Sequence, residues 1–189
     1  MIYIIRHGQT EMNTRQVLQG RSDLPLNEKG MEQAGQTAEK LGNVAFDTVY
    51  TSPLKRAVQT AGIIVPGLKP VIDERLIEMD YGPYEGMGLY DLAPEVITFF
   101  SDYVNNPAPD GMEQLGSVVQ RAGSFMEERC RTGGNILIST HAIAMKGILE
   151  YLTPDSHGSY WSWNIGNCDI YITELLPDGK FSVPVKYEL

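Results

Sequence analysis

Ile2-Tyr3-Ile4-Ile5-Arg6-His7-Gly8-Gln9-Thr10 runs from a continuous apolar stretch into an arginine, a histidine and a glycine, with Asn13 close behind. A short apolar run of this kind reads as a strand buried on both faces. At its end an imidazole stands between a guanidinium and a residue without a side chain. That arrangement suits holding an anion against a histidine, because glycine lets the backbone come close. The pattern returns late in the chain, where Ile136-Leu137-Ile138-Ser139-Thr140 reads as a second buried strand and ends at His141.

Between and around these two strands, helical and strand patterns alternate. Asn27 is placed to cap a helix whose apolar positions Met31, Ala34, Ala38 and Leu41 recur at helical spacing until Gly42 stops it. Residues 47–51 read as a strand, after which Ser52 and Pro53 supply an N-cap and a first helical residue ahead of Leu54, Ala57, Val58, Ala61 and Ile64. Arg56 then falls in the first turn. Residues 70–73 make a short third strand, and 74–88 form a glycine- and tyrosine-rich loop without periodicity, the kind of segment that often carries function.

Leu89, Leu92, Val96, Phe100 and Val104 suggest a helix that Pro94 breaks or restarts, and 105–111 reads as a linker. The cleanest amphipathic helix carries Leu115, Val118, Val119, Ala122, Phe125 and Met126, with Cys130 on its apolar face. Met145, Ile148, Leu149 and Leu152 resume helical spacing after His141. Residues 169–175 and 181–187 look like a hairpin around Pro177-Asp178-Gly179. The alternation predicts an α/β fold, a three-layer α/β/α sandwich whose sheet is mixed but mostly parallel. A single domain is expected over 1–189, with a cap-like segment at about 79–113.

Composition narrows the classes. A chain of 189 residues that is 42% hydrophobic can bury one sizeable core. Its 15 lysines and arginines against 24 aspartates and glutamates give a net charge of -9, which argues against a nucleic-acid partner. Any phosphate must then be met by a few local cations. Cys130 and Cys168 have no partner pattern and read as reduced core residues of a cytoplasmic protein, not as a disulfide or a zinc site. Met1 leads straight into the first strand and no apolar run approaches the roughly 20 residues of a membrane span, so neither export nor a membrane partner is expected.

In a parallel α/β sheet, residues at the carboxyl ends of different strands converge on one site. Arg6 and His7, the turn from Ser52 to Arg56, and His141 all occupy such ends, which would set two arginines and two histidines around one point.

At this point the chain resembles the histidine phosphatase superfamily, also called the phosphoglycerate mutase-like family, whose signature Arg-His-Gly, a small or polar residue, Thr, two residues, Asn stands here at Arg6 to Asn13. The resemblance extends through Leu18-Gln19-Gly20, Asp23-Leu24-Pro25-Leu26, Gly30, Gln33-Ala34, Ser52-Pro53-Leu54, Arg56-Ala57 and Thr60-Ala61. It continues with Leu76, Glu78, Gly82 and Glu85-Gly86, and ends on Ser139-Thr140-His141.

The resemblance implies a phosphoglycerate mutase-like fold and a ping-pong phosphoryl transfer. In it neutral His7 attacks phosphorus, Glu78 protonates the leaving oxygen, and Arg6, Arg56, Asn13 and His141 hold the equatorial oxygens. It also places Gln19, Gly20 and Ala142 among the phosphate- or substrate-binding residues. Ala142 stands where many relatives have glycine, and Pro109-Asp110-Gly111-Met112-Glu113 only loosely follows the family's Pro-Gly-Gly-Glu-Ser, so Glu113 is not assigned to the site. Glu74 and Glu85 compete with Glu78 as carboxylates of the same loop. Tyr81, Tyr84, Tyr160, Trp161 and Trp163 are candidates for a pocket mouth or for ordinary packing, and His157 reads as a surface residue. Arg21 and Lys55 read as surface charge.

With the arginines neutralising phosphate, no metal and no cofactor are expected. The partner is a small phosphomonoester, such as a sugar phosphate or a nucleoside-type phosphate like α-ribazole phosphate. Hydrolysis is preferred over a mutase because the chain is short and has no lysine or arginine cluster between 79 and 113; an inactive phosphate- or protein-binding module is the remaining alternative. The oligomeric state stays open, a homodimer among the options.

Overall fold

A computed structural model describes residues 1–188. Its elements in chain order are β1 (Ile2–Arg6), α1 (Glu11–Thr14), α2 (Glu28–Leu41), β2 (Thr48–Thr51), α3 (Lys55–Ile64), β3 (Val71–Ile72), α4 (Pro94–Ser101), α5 (Leu115–Arg129), β4 (Ile136–Thr140), α6 (Ala142–Leu152), β5 (Ile170–Thr173) and β6 (Val185–Tyr187). Short 3-10 turns at Glu74–Leu76, Gly82–Tyr84, Pro154–Ser156 and Ser159–Ser162 lie between them. Among the described residues the sheet has six strands in the order β3-β2-β4-β1-β5-β6. The first four run parallel, while β5 and β6 are antiparallel to their neighbours.

The apolar run that opens the chain explains the layering. Alternate residues of a strand face opposite sides. Ile2 and Ile4, with Ile136 and Ile138 of β4, pack on Phe125, Met126, Met145 and Leu149 of α5 and α6. Tyr3 and Ile5, with Leu137, pack on Ala34 and Leu41 of α2 and Ala61 and Ile64 of α3. Both faces are therefore buried, which is the expected α/β/α sandwich. A third cluster joins Val96 and Phe99 of α4 to Met79, Tyr81, Met112, Val118, Ile143 and Trp161.

Several local expectations shift. Leu54, not Ser52, is the residue before α3, and the helix has no side-chain cap of its own; Asp23 Oδ1 instead accepts from Lys55 N at 2.7 Å. Of the two roles read for Pro94, it takes the second and begins α4, since the missing N–H costs nothing in a first turn; only the helical reading of residues 89–92 fails, as they lie outside the helix. The short α1 was not expected: Thr10 and Asn13 bond each other reciprocally at its start. The terminal hairpin pairs as expected but over fewer residues, with Leu175 and Phe181 making an isolated bridge.

Gly8 also plays a different part. A Cβ there would run into the Gly30 carbonyl, and one on Gly30 into the Gln9 carbonyl. The close approach that Gly8 permits is thus to the start of α2, which seats β1's end against that helix.

Candidate active site

β1, α3 and β4 with α6 bring His7, Arg56 and His141 together, although 85 residues separate Arg56 from His141 in sequence. Arg56 Nε donates to His7 Nε2 at 3.2 Å and to His141 Nδ1 at 3.1 Å, and the two rings stand 5.1 Å apart between centroids. All three residues are buried.

These bonds settle which ring nitrogens carry protons. His7 Nδ1 lies 2.6 Å from the Gly8 carbonyl, which can only accept, so Nδ1 carries hydrogen and Nε2 keeps its lone pair. His141 Nδ1 accepts from Arg56, so its Nε2 donates to Ser52 Oγ at 2.7 Å. Ser52, expected as a helix cap, instead orients this ring.

Arg56 is fixed from behind by the 20–22 loop. Its Nη2 donates to the Gly20 carbonyl and its Nη1 to the Ser22 carbonyl, both at 2.6 Å. The N–H groups of Gly20 and Ser22 in turn donate to Glu85 at 2.9–3.1 Å, so this carboxylate supports Arg56 through the loop. Burial, above all, lowers the Arg56 pKa to about 10.

Arg6 Nη1 donates to the Ile165 carbonyl at 2.5 Å, while its Nε is buried without a partner. Among the described residues, neither Arg6 nor Arg56 has a carboxylate within the 4.0 Å of an ion pair. Gln19 Oε1 accepts from Thr10 Oγ1 at 2.6 Å and its Nε2 is likewise buried and unpaired. Buried unpaired donors are costly unless something satisfies them, and an anion is one group that could satisfy both the guanidinium and the amide.

Glu78 is buried and accepts from the N–H groups of Met79, Ile143 and Ala144 at 2.9–3.2 Å. It sits on the first turn of α6, beside His141. Glu74 is exposed and Glu85 is engaged by the 20–22 loop, so of the three competing carboxylates Glu78 is the one at the α6 N-terminus next to the histidines. Asn13 is turned toward α1, its Oδ1 accepting from Thr10 N at 3.0 Å, while Ala142 opens α6. Asn167, which the sequence did not single out, donates to the His7 carbonyl at 2.9 Å.

A cavity of about 600 Å³ is lined by Phe100, Tyr103, Lys146, His157, Trp161 and Trp163, among others, and by none of His7, Arg56, Glu78 or His141; Lys146 of α6 connects it to the Glu78 side, feeling that carboxylate's charge. Lys146 is buried and donates to the Trp161 carbonyl at 2.7 Å. It has no carboxylate partner among the described residues, and burial, opposed by the Glu78 charge, lowers its pKa to about 8. Of the aromatic candidates, Trp161 and Trp163 line this cavity, whereas Tyr160 packs in the main core; His157 is exposed.

Both histidines are held neutral. Burial first, then Arg56, lowers the pKa of each well below its usual 6.5. In the unfolded chain they titrate near 6.5 and bind more protons than in the fold, so stability is full above that pH and is lost as pH falls through it. The expected result is a thermal midpoint that is steady near pH 7.5 and falls toward pH 5.5, with a limiting slope of about 1.4 kcal/mol per pH unit for each histidine. Replacing His141 by glutamine should flatten the fall; an equal fall in both proteins would contradict the burial of neutral imidazole.

Comparison with known proteins adds a second line. The profile of the histidine phosphatase superfamily (branch 1) matches residues 2–186. Phosphoserine phosphatase 1 of Hydrogenobacter thermophilus is 28% identical over 181 residues, covering 92% of this chain and 86% of that protein. Among solved structures, a mutant phosphoserine phosphatase of Entamoeba histolytica in complex with phosphoserine superposes with a TM-score of 0.84 at 25% identity, over 99% of this chain and 94% of the other. The α-ribazole phosphatase of Shigella flexneri gives 0.86 at 25% identity, over 99% and 96%.

Proposed function

This chain belongs to the histidine phosphatase superfamily, and from that premise we propose that it is a metal-independent phosphomonoesterase acting through a phosphohistidine on His7. The observation that carries the reading is the His7 ring itself. Its Nδ1–H is tied to the Gly8 carbonyl, and its Nε2 lone pair points at the guanidinium of Arg56 in a pocket whose arginines have no carboxylate partner among the described residues.

A guanidinium has five N–H groups; Arg56 uses three of them, Nε–H shared by the two histidines and one each on Nη1 and Nη2 for the 20–22 loop, which leaves two for phosphate oxygens. Substrate oxygens compete for Arg56, which frees the His7 lone pair. Glu78 takes up the proton of the substrate's monoanionic phosphoryl group on binding; His7 Nε2 then bonds to phosphorus as the ester P–O bond breaks, and Glu78 gives that proton to the departing oxygen. Water attacks the phosphohistidine, returns a proton to Glu78 and releases inorganic phosphate. Arg6, Arg56, Gln19 and His141 stabilise the charge on the transferred group.

The leaving group is assigned to the aromatic cavity, under the segment at about 79–113 expected as a cap. Lys146 is a buried cation there without an anionic partner among the described residues. A leaving group that carries a carboxylate, as in phosphoserine, supplies one. The test is release of inorganic phosphate, in excess chelator, from phosphoserine, 3-phosphoglycerate and phenyl phosphate. Lys146→Met should raise KM about tenfold for the two carboxylated esters and leave phenyl phosphate unchanged. Equal effects on all three would remove Lys146 from the leaving-group site. Transfer of phosphate to a second phosphoglycerate, instead of to water, would make the enzyme a mutase. Phosphate binding without turnover of any ester would make it a binding module.

A further inference from the structure

The chain on either side of Glu78 is held by an ion pair that lies outside the reacting groups. Arg121 of α5 donates through Nη1 to the carbonyls of Arg75 and Ile77, at 2.7 and 2.6 Å. The carbonyl between them, that of Leu76, accepts from Thr140 Oγ1 at 2.7 Å, immediately before His141. Three successive carbonyls leading into Glu78 are therefore fixed by side chains of α5 and β4.

Glu113 holds the other side. Its Oε2 accepts from Asp80 N at 3.1 Å, and its own N–H donates to the Asp80 carbonyl at 2.8 Å. Glu113 and Arg121 are joined by two bonds, Nε to Oε1 at 2.8 Å and Nη2 to Oε2 at 3.2 Å. Both side chains are largely buried, at 12% and 16% exposure, so the pair is shielded from the screening that weakens surface ion pairs. Arg21 extends the network from the 20–22 loop to Asp80 Oδ2 at 3.0 Å.

We propose that Glu113 and Arg121 are positioning residues for the proton donor: they clamp residues 75–77 and 80 so that the Glu78 carboxyl stays at the leaving-group oxygen. The proposal rests on Glu78 acting as the general acid. Neither residue touches the reacting atoms. A general acid contributes only while it is within hydrogen-bond reach of the atom it protonates, and small displacements of a positioned group are costly. Glu113 lies in the stretch that follows the family pattern only loosely, yet it anchors the loop of the expected donor from the far side.

Leaving-group dependence tests this, because a phenolate bearing nitro groups departs without protonation and an alkoxide does not. The quantity to read is kcat/KM, which reports the steps up to loss of the leaving group, for phosphoserine and for 2,4-dinitrophenyl phosphate. Glu113→Gln should lose about tenfold or more on phosphoserine and stay within about twofold on the dinitrophenyl ester. Glu113→Asp should recover part of the loss. Arg121→Lys, which keeps the charge but not the fork, should show the same selectivity, and Glu78→Gln should show it more strongly.

Equal losses of Glu113→Gln on both esters, or no loss on phosphoserine, would overturn the clamp. If Glu78→Gln is selective and both clamp variants are not, the clamp fails while the general acid stands. If Glu78→Gln is itself unselective, the assignment of the donor fails, and the clamp with it. Circular dichroism and the thermal midpoint of each variant guard against reading misfolding as chemistry; a clamp variant that unfolds is replaced in the comparison by Glu113→Asp, for which the same selectivity is required.

Discussion

His7→Ala is expected to abolish turnover, with kcat/KM falling at least about a thousandfold, on the scale seen when a covalent nucleophile is removed from an enzyme that depends on it. The alanine removes a ring whose Nε2 lone pair faces the anion pocket while its Nδ1 is tied to a backbone carbonyl. Binding should persist. Arg6, Arg56 and His141 remain, and loss of the imidazole opens space beside the Arg56 Nε, so inorganic phosphate or vanadate should still raise the thermal midpoint. Wild-type rates with the alanine variant would remove His7 from the reaction. A protein that neither turns over nor binds anions would mean that the substitution had damaged the pocket, and His7→Gln would then replace it, with the same loss of rate and retention of binding required.

Arg56→Lys is expected to give the next largest loss, about a hundredfold to a thousandfold in kcat/KM, even though the charge is kept. A lysine ammonium is a point donor at the end of a flexible stem. It cannot at once reach His7 Nε2, His141 Nδ1 and the carbonyls of Gly20 and Ser22, all of which Arg56 meets at 2.6–3.2 Å. Vanadate, with equatorial oxygens like those of a phosphoryl group in transfer, should lose affinity by a similar factor, because the guanidinium acts most on the transition state. A loss of less than about threefold in both measurements would place Arg56 in the fold and outside the chemistry.

The fold was legible where periodicity is strong. Residues 2–5 and 136–138 show continuous apolar runs because both faces of the central strands are covered, and Asn27 and Gly42 bound α2 as read. Terminal details were less visible, since Ser52-Pro53 looks like a helix start in isolation, and only the fold shows that Ser52 is drawn away to His141. Short α1 has no period to read. Its capping pair uses Asn13 where the usual signal is glutamate or glutamine.

The site divides in the same way. His7, Arg56 and His141 stand at or just after recognisable strand ends, so their convergence could be anticipated, whereas Glu78 lies in a loop without periodicity and was singled out from Glu74 and Glu85 only by the family resemblance. Ser52, Asn167, Lys146 and the Glu113–Arg121 pair act through contacts between segments distant in sequence, such as the bond from Arg121 to the Ile77 carbonyl 44 residues away. Polar side chains of that kind have no local pattern that separates them from surface charge. Arg21 illustrates the difficulty: read as surface charge, it is exposed, yet it reaches Asp80 at 3.0 Å and joins the loop that supports Arg56 to the loop that carries Glu78.

The central claim is a covalent bond between phosphorus and His7 Nε2. It is tested most directly by mixing enzyme and substrate, quenching within the first turnovers in alkali, where phosphohistidine survives, and mapping the added phosphoryl group by peptide mass spectrometry. One phosphoryl group on the peptide containing His7, absent from the His7→Ala protein, is the predicted result. Full hydrolysis with no phosphorylated enzyme at any quench time, or a phosphoryl group on another residue, would contradict it.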